Sequence, residues 1–335
     1  MNTPAVSVLL PFRDAKETLG VAIASIRAQT LAGWELLLVD DGSRDESSSI
    51  AQHHASEDKR IRVFRHDPSG IVVALRLAQR EAQGRYLARM DADDVSLPTR
   101  LEQQFRMMED DQRLGLTGAQ VRMAGPRVGS GRKRYETWLN GLRSHDAIIR
   151  DLFVECPIAH PAFMIRRDAH DKAGGYLDNG WAEDYDLVMR LWLVGVRFAN
   201  VDRVLLEWKE QPGRLSMRDV RYSPERFRAL KRHYLTRSYL RQPAKRTFTQ
   251  WGAGEVGKLW LREWSAPTPA AVVDINPRKI GRTIHGIPVI APDELPPPGR
   301  AFTVVAVGAP GARDEIREWM APRGYVELED YLFIA

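Results

Sequence analysis

The first half of the chain alternates short apolar runs with amphipathic stretches. Runs at 6–10, 34–39, 61–64, 86–90 and 114–118 place apolar residues at consecutive positions, as strands covered on both faces require. Between them, 15–29 and 70–83 repeat small and apolar residues at helical spacing, and Gly84 supplies a helix stop before the next strand. The alternation predicts βαβ units and an α/β nucleotide fold with a mostly parallel sheet flanked by helices. Past residue 120 the pattern loosens. The Gly, Arg and Ser stretch 125–131 predicts an exposed loop, followed by a strand at 162–166, a Gly174-Gly175 turn, a helix at 183–193 and a strand at 197–201. After Ser223-Pro224, Phe227, Leu230, Tyr234, Leu235 and Tyr239 fall at helical spacing, and a new alternation starts at Thr247. The boundary is therefore expected near 240–246, giving a domain over 1–222, a basic helical linker over 223–246 and a second domain over 247–335.

A chain of 335 residues exceeds the usual ceiling of one compact core, in keeping with two domains. Its 44% apolar and 28% charged content excludes a disordered or collagenous protein. The apolar start is broken by Pro11 and Arg13 and lacks a basic leader, so neither a signal peptide nor a membrane anchor is expected there. A lone Cys156 fits a reducing cytoplasm and leaves no internal disulfide or multi-cysteine metal site. The net charge of +5 is uneven: residues 218–246 hold ten Arg or Lys against Asp219 and Glu225. That stretch reads either as a solvated helix between domains or as a peripheral contact with an anionic membrane or lipid pyrophosphate at the inner face. It matches no nucleic-acid-reading module, and no nucleic acid is expected as a partner.

Two acidic clusters close strand-like runs: Asp40-Asp41 after WELLLV, and Asp91-Ala92-Asp93-Asp94 after YLARM. In open parallel sheets the ligand crevice lies beyond the carboxyl ends of the strands, so acids placed there tend to face a ligand. Asp91 and Asp93, at i and i+2 of extended chain, point to one side, where Mg²⁺ or Mn²⁺ would relieve their repulsion and could bridge a pyrophosphate. A turn with solvated acids is the plainer alternative.

Three segments in order, SVLLPFRDAKETLGVAIASIRAQTLAGWELLLVDDGSRD, YLARMDADDVSLPTRL and HPAFMIRR…GGY…WAEDYDL, together resemble the family 2 glycosyltransferases with the A-type nucleotide-sugar fold, over about 220 residues. The resemblance implies inverting, divalent-metal-dependent transfer of a sugar from a nucleoside diphosphate donor to an acceptor hydroxyl. It implies that Pro11, Phe12 and Arg13, with Asp40 and Asp41, cradle the nucleoside. Asp91 would lie near the ribose and, with Asp93, hold the metal. Asp184, in Glu183-Asp184-Tyr185-Asp186 at a helix start, is the candidate base, while Glu183 and Asp186 are equally explained as helix-dipole complements. Family habit and the basic stretch point to a glycan or lipid-linked acceptor in the cell envelope.

The chain departs from the pattern at HDPSGIVVALR, where Asp67 or Pro68 and Arg76 stand in place of two common asparagines. Arg76 is either a donor contact or a surface helix residue. Gln211, Arg214 and Leu215 resemble the Q-x-x-R-W element of processive synthases with leucine for tryptophan, which favours single additions. His160 matches a family position but, as an isolated histidine, reads more readily as a hydrogen-bonded structural residue.

Residues 247–335 carry Gly252-Ala253-Gly254-Glu255-Val256-Gly257 between an apolar run and a helical one, with Asp274 twenty positions past Gly254. This is the context of a dinucleotide fingerprint, in which glycines admit a phosphate and the acid binds ribose hydroxyls. The segment 274–289 also resembles the small Rossmann-like domains joined to some sugar-modifying enzymes, so a nucleotide is a candidate ligand. Two alternatives to the transferase follow: an NAD-dependent nucleotide-sugar oxidoreductase or epimerase working from this domain, and a noncatalytic nucleotide-sugar sensor.

Overall fold

The computed structural model describes residues 3–125, 128–210, 215–241 and 247–335. The chain divides into two compact units, residues 1–148 with 157–222, and residues 149–156 with 223–335.

The first unit is built on an eight-stranded sheet. Its strands are β1 (Val6–Phe12), β2 (Trp34–Asp40), β3 (Ile61–Arg65), β4 (Tyr86–Arg89), β5 (Val95–Ser96), β6 (Leu114–Ala124), β7 (Met164–Arg166) and β8 (Arg197–Lys209), in the order β3-β2-β1-β4-β7-β6-β8-β5. The half β3-β2-β1-β4 is parallel throughout. All seven residues of β1 and of β2 are buried, which is why both strands appear in the sequence as unbroken apolar runs. Helices Leu19–Arg27 and Arg100–Asp110 send Leu19, Ile23, Ile26, Leu101 and Met108 into the same core as Val8, Leu10, Leu36 and Leu38.

The other half departs from the expected mostly parallel sheet. Strand β7 runs antiparallel to both β4 and β6, and β5 runs antiparallel to β8. Strand β8 continues to Lys209, well past the expected 197–201, because it stays paired with β6 through register shifts near Ala119–Val121. Residues 160–162 form a 3-10 turn, so the strand expected from 162 begins at Met164. The expected loop 125–131 runs into helix Ser130–Gly141, which buries Leu139 and packs Tyr135 and Trp138 against the core; residues 126 and 127 lie outside the described residues.

The second unit holds a six-stranded sheet of β9 (Thr247–Trp251), β10 (Val272–Val273), β11 (Thr283–Ile284), β12 (Ile287–Ile290), β13 (Ala301–Val305) and β14 (Tyr331–Phe333), in the order β11-β12-β10-β9-β13-β14. Only the β11–β12 pair is antiparallel. The basic helix Pro224–Arg237 belongs to this unit instead of standing between domains. It buries Leu230, Tyr234 and Leu235, and its cations are partly consumed internally. Arg228 reaches Glu263 at 2.7 Å, Arg232 pairs with the same carboxylate, and the buried Lys231 donates to the carbonyls of Val154 at 2.7 Å and Ile334 at 3.1 Å. Burial pushes the Lys231 ammonium below its ordinary range. Among the described residues no helix is long and apolar enough to cross a membrane. Of the domain-junction residues, 242–246 lie outside the described set, as do Gln211 and Arg214 of the synthase-like element.

Candidate active site

The acids singled out from the sequence stand where the parallel strands end. Asp40 closes β2 fully buried, and its Oδ1 accepts from Ser43 N at 2.7 Å. Asp41 turns the other way: its carboxylate accepts from Ser69 N at 2.7 Å and Gly70 N at 3.1 Å, at the start of helix Ile71–Glu81. Arg13 and His66 approach the Asp41 carboxylate at 3.9 and 3.5 Å. Between the two loops Gly42 has φ +75, and a Cβ there would lie 2.5 Å from the Pro68 ring, so only glycine lets them meet. Pro11 and Phe12 are buried within β1, with Phe12 in the core, and the Phe12 carbonyl accepts from Asp41 N at 2.9 Å.

One ligand atom from each of Asp91, Asp93 and Asp94, just past β4, lies within 4.8 Å of the others. That spread is close to twice a metal–oxygen distance of about 2.0–2.6 Å, and an all-carboxylate set suits a hard cation such as Mg²⁺ or Mn²⁺. Asp94 is buried and also fixes the far strand, its Oδ1 accepting from Lys209 N at 2.8 Å. Behind the acids stand two buried arginines that the sequence reading did not assign. Arg89 meets Asp91 at 2.5 Å, and Arg100 donates to the carbonyls of Arg89, at 3.1 Å, and Pro161. Burial pushes the Arg100 guanidinium down to about 10, with Asp94 opposing the shift. The cluster therefore sits on a fixed positive backing that offsets the repulsion among its carboxylates. An arginine in the middle of the apolar run YLARM was the available signal, since an unpaired charge on a central strand is costly.

Helix Glu183–Leu193 presents three acids in its first turn, and they divide sharply. Glu183 is 1% exposed and accepts from the Tyr222 hydroxyl at 2.7 Å. Asp186 is fully buried and accepts from Trp181 Nε1 and Arg190 Nε, both at 2.8 Å, which pins the preceding loop. Both are buried anchors of the helix end as well as first-turn acids that suit the helix dipole. Asp184 is half-buried, with Oδ1 accepting from Tyr185 N at 2.7 Å.

A buried polar chain starts at this helix. His160 Nε2 lies 2.9 Å from the Tyr176 hydroxyl, and its Nδ1 is 3.8 Å from Glu183. Burial pushes His160 well below its ordinary range, with Arg89 adding to the shift, and pushes Glu183 up against the opposing Tyr222 hydroxyl. Both shifts disfavour charge, so the 3.8 Å contact gains little as an ion pair. Arg76, on an exposed turn of helix Ile71–Glu81, donates from Nε to the Tyr176 carbonyl at 2.8 Å. The charges of Arg89, Glu183, Asp184 and Asp91 all act on the Tyr176 hydroxyl, which burial pushes up. Tyr176 thus marks the place where the Asp91 loop and the Asp184 helix converge. A depression of about 580 Å³ at the opposite ends of the strands, beside Leu114 and Arg197, includes none of these acids.

The chain is 28% identical over 232 residues to the putative glycosyltransferase EpsE of Bacillus subtilis (strain 168), covering 67% of this chain and 80% of that one. It is likewise 28% identical over 210 residues to the O-antigen biosynthesis glycosyltransferase WbnJ of Escherichia coli, covering 61% and 79%. Among solved structures, S. aureus TarS 1-349 in complex with UDP-GlcNAc superposes with a TM-score of 0.56 at 16% identity, over 72% of this chain and 68% of that chain. Mannosyltransferase PcManGT from Pyrobaculum calidifontis, in complex with GDP-Man and Mn²⁺, gives 0.52 at 17% identity, over 73% and 66%. The Glycosyl transferase family 2 profile matches residues 7–174, from the second residue of β1 through the acidic loops to the turn before Tyr176, and the chain belongs to that family.

Proposed function

We propose that this protein catalyses inverting, metal-dependent transfer of a single sugar from a nucleoside diphosphate sugar to an acceptor hydroxyl. The observation that carries the proposal is the convergence of Asp91, Asp93 and Asp94 at the carboxyl end of β4, backed by Arg89. A divalent cation held there would stabilise the negative charge that develops on the departing diphosphate. Asp41 and Arg13 border the nucleoside side, and Arg76 fixes the helix that begins at the Asp41 contact. Asp184 takes the proton of the acceptor hydroxyl as its oxygen attacks the anomeric carbon from the face opposite the leaving diphosphate. Its place in the first turn of a helix favours negative charge. Glu183, buried and held by Tyr222, orients the helix end and does not compete for that role.

The names of the relatives, an O-antigen biosynthesis glycosyltransferase among them, support an acceptor in envelope polysaccharide or glycolipid synthesis. A cytoplasmic site of action, with Arg226, Arg237 and Arg241 among the exposed cations of the basic stretch and available to an anionic inner surface, is part of the same proposal. The second unit is read as Rossmann-like: with β9 as first strand, its parallel set β12-β10-β9-β13-β14 follows the order 3-2-1-4-5.

The test is thermal unfolding of the full chain with nucleoside diphosphates, with and without Mn²⁺ or Mg²⁺. The expected result is a rise in Tm with one nucleotide that depends on the cation. The absence of any cation-dependent increment in Tm with every nucleotide would remove the metal from the proposal.

A further inference from the structure

The second unit contains a cavity of about 660 Å³, bounded by the loops that leave β9 and β13 and by Lys279 and Asp274 after β10. That volume is in the range of small-molecule sites. From β9 the chain passes to β10 and β12 on one side of the sheet and then returns to β13 and β14 on the other. The cavity therefore lies outside the carboxyl ends of the strands at the point where strand order reverses, where open α/β sheets bind ligands.

The three glycines of the loop after β9 have different physical reasons. At Gly252, φ is +114 and a Cβ would meet the Ala306 carbonyl at 2.7 Å. At Gly257 a Cβ would fall 1.9 Å from the Gly252 carbonyl, so glycine there lets the helix Glu255–Glu263 pack on the turn. Gly254 is different. Its φ of −77 and ψ of −168 are open to any residue, and a Cβ there would meet nothing within 4 Å. Neither backbone conformation nor packing asks for glycine at 254. What its missing side chain does is leave bare backbone facing the cavity.

The expected role of Asp274 as a ribose ligand does not match its surroundings. Its Oδ2 accepts from Ala253 N at 2.9 Å and from Lys279 Nζ at 3.0 Å, and its Oδ1 accepts from Asn276 N at 2.8 Å. Three of a carboxylate's roughly four acceptor positions are filled from within the chain. Lys279 also donates to the Ala253 carbonyl at 3.0 Å, which fixes its ammonium beside the glycine loop with a third donor in reserve. Ile275, 76% exposed, with Val307, Pro292 and Trp319, adds apolar surface to the same cavity. Glu255 and Glu315, both exposed, also line the cavity and favour a phosphate seated on the Lys279 side.

We propose that this cavity binds a nucleoside phosphate at a second site, separate in sequence and sheet from the donor site. Lys279 and the bare loop at Gly254 receive the phosphate, and the apolar surface of Ile275 and Val307 receives the base. Asp274 is a positioning residue that holds the loop and the lysine. The inference is independent of the transfer reaction.

The test is calorimetric titration of the full chain carrying Asp93→Ala, which impairs the donor site, with ADP, UDP and NAD⁺ as separate probes. At least one probe is expected to bind. Adding Gly254→Val is expected to weaken that binding about tenfold or more, because the new side chain enters the ligand's space and not the protein's. Lys279→Met is expected to weaken it similarly, and more for probes of higher negative charge. Native circular dichroism of both variants guards against misfolding. Absence of binding by all three probes, or binding that neither substitution changes, overturns the proposal. Since Asp93 is already replaced, failure here leaves the transferase proposal untouched.

Discussion

Asp184→Asn is expected to bind the nucleotide-sugar donor as the native chain does while turning over about 10²- to 10⁴-fold more slowly, the usual contribution of a general base. The substitution keeps size and an acceptor oxygen, so the short contact from Tyr185 N survives and the helix end is undisturbed. Its neighbours make instructive contrasts. Glu183 and Asp186 are buried and bonded to Tyr222, Trp181 and Arg190, so replacing either lowers stability before chemistry can be read. Steady-state turnover set against donor affinity, measured on the same Asp184→Asn preparation, decides the matter. Equal loss of both would make Asp184 a structural residue.

Asp93→Ala is expected to abolish cation-dependent donor binding and to lower turnover by roughly 10²- to 10³-fold, the equivalent of several kcal/mol of leaving-group stabilisation. Asp93 is a better probe than Asp94, whose Oδ1 also holds Lys209 N, so that its removal would loosen β8 as well. Titrating Mn²⁺ in the presence of donor reads the effect directly. An unchanged Mn²⁺ dependence in the variant would place the cation elsewhere, or nowhere.

The parallel half of the first sheet was legible because strands buried on both faces leave unbroken apolar runs, and the acids closing β2 and β4 were legible because the chain leaves such strands toward the ligand crevice. The antiparallel half was obscured for identifiable reasons. Strand β8 mixes Asp202, Arg203 and Glu207 with apolar residues, and the two-residue β5 carries no periodicity. Helix Ser130–Gly141 buries only Leu139 fully, so its amphipathic signal is faint. Of the site, the acids announced themselves while their supports did not. Arg89, Arg100, Tyr176 and Tyr222 act through burial and long-range hydrogen bonds, which spacing along a sequence does not encode. The fingerprint after β9 was visible as glycines, but only the packing around each glycine separates those the fold needs from Gly254. The capture of residues 149–156 by the second unit, through Lys231 bonding to Val154 and Arg317 approaching Asp151 at 3.5 Å, had no sequence signal.

The central claim is that chemistry occurs at the Asp91–Asp94 cluster with a nucleotide-sugar donor. Release of nucleoside diphosphate from a panel of nucleotide sugars, followed in the native chain with Mn²⁺ or Mg²⁺ present and then chelated, tests it most directly. Release from one donor class, stopped by chelation, is the expected result. No release from any donor, together with hydride transfer to NAD⁺ from a nucleotide sugar, would contradict it and move the chemistry to the second unit.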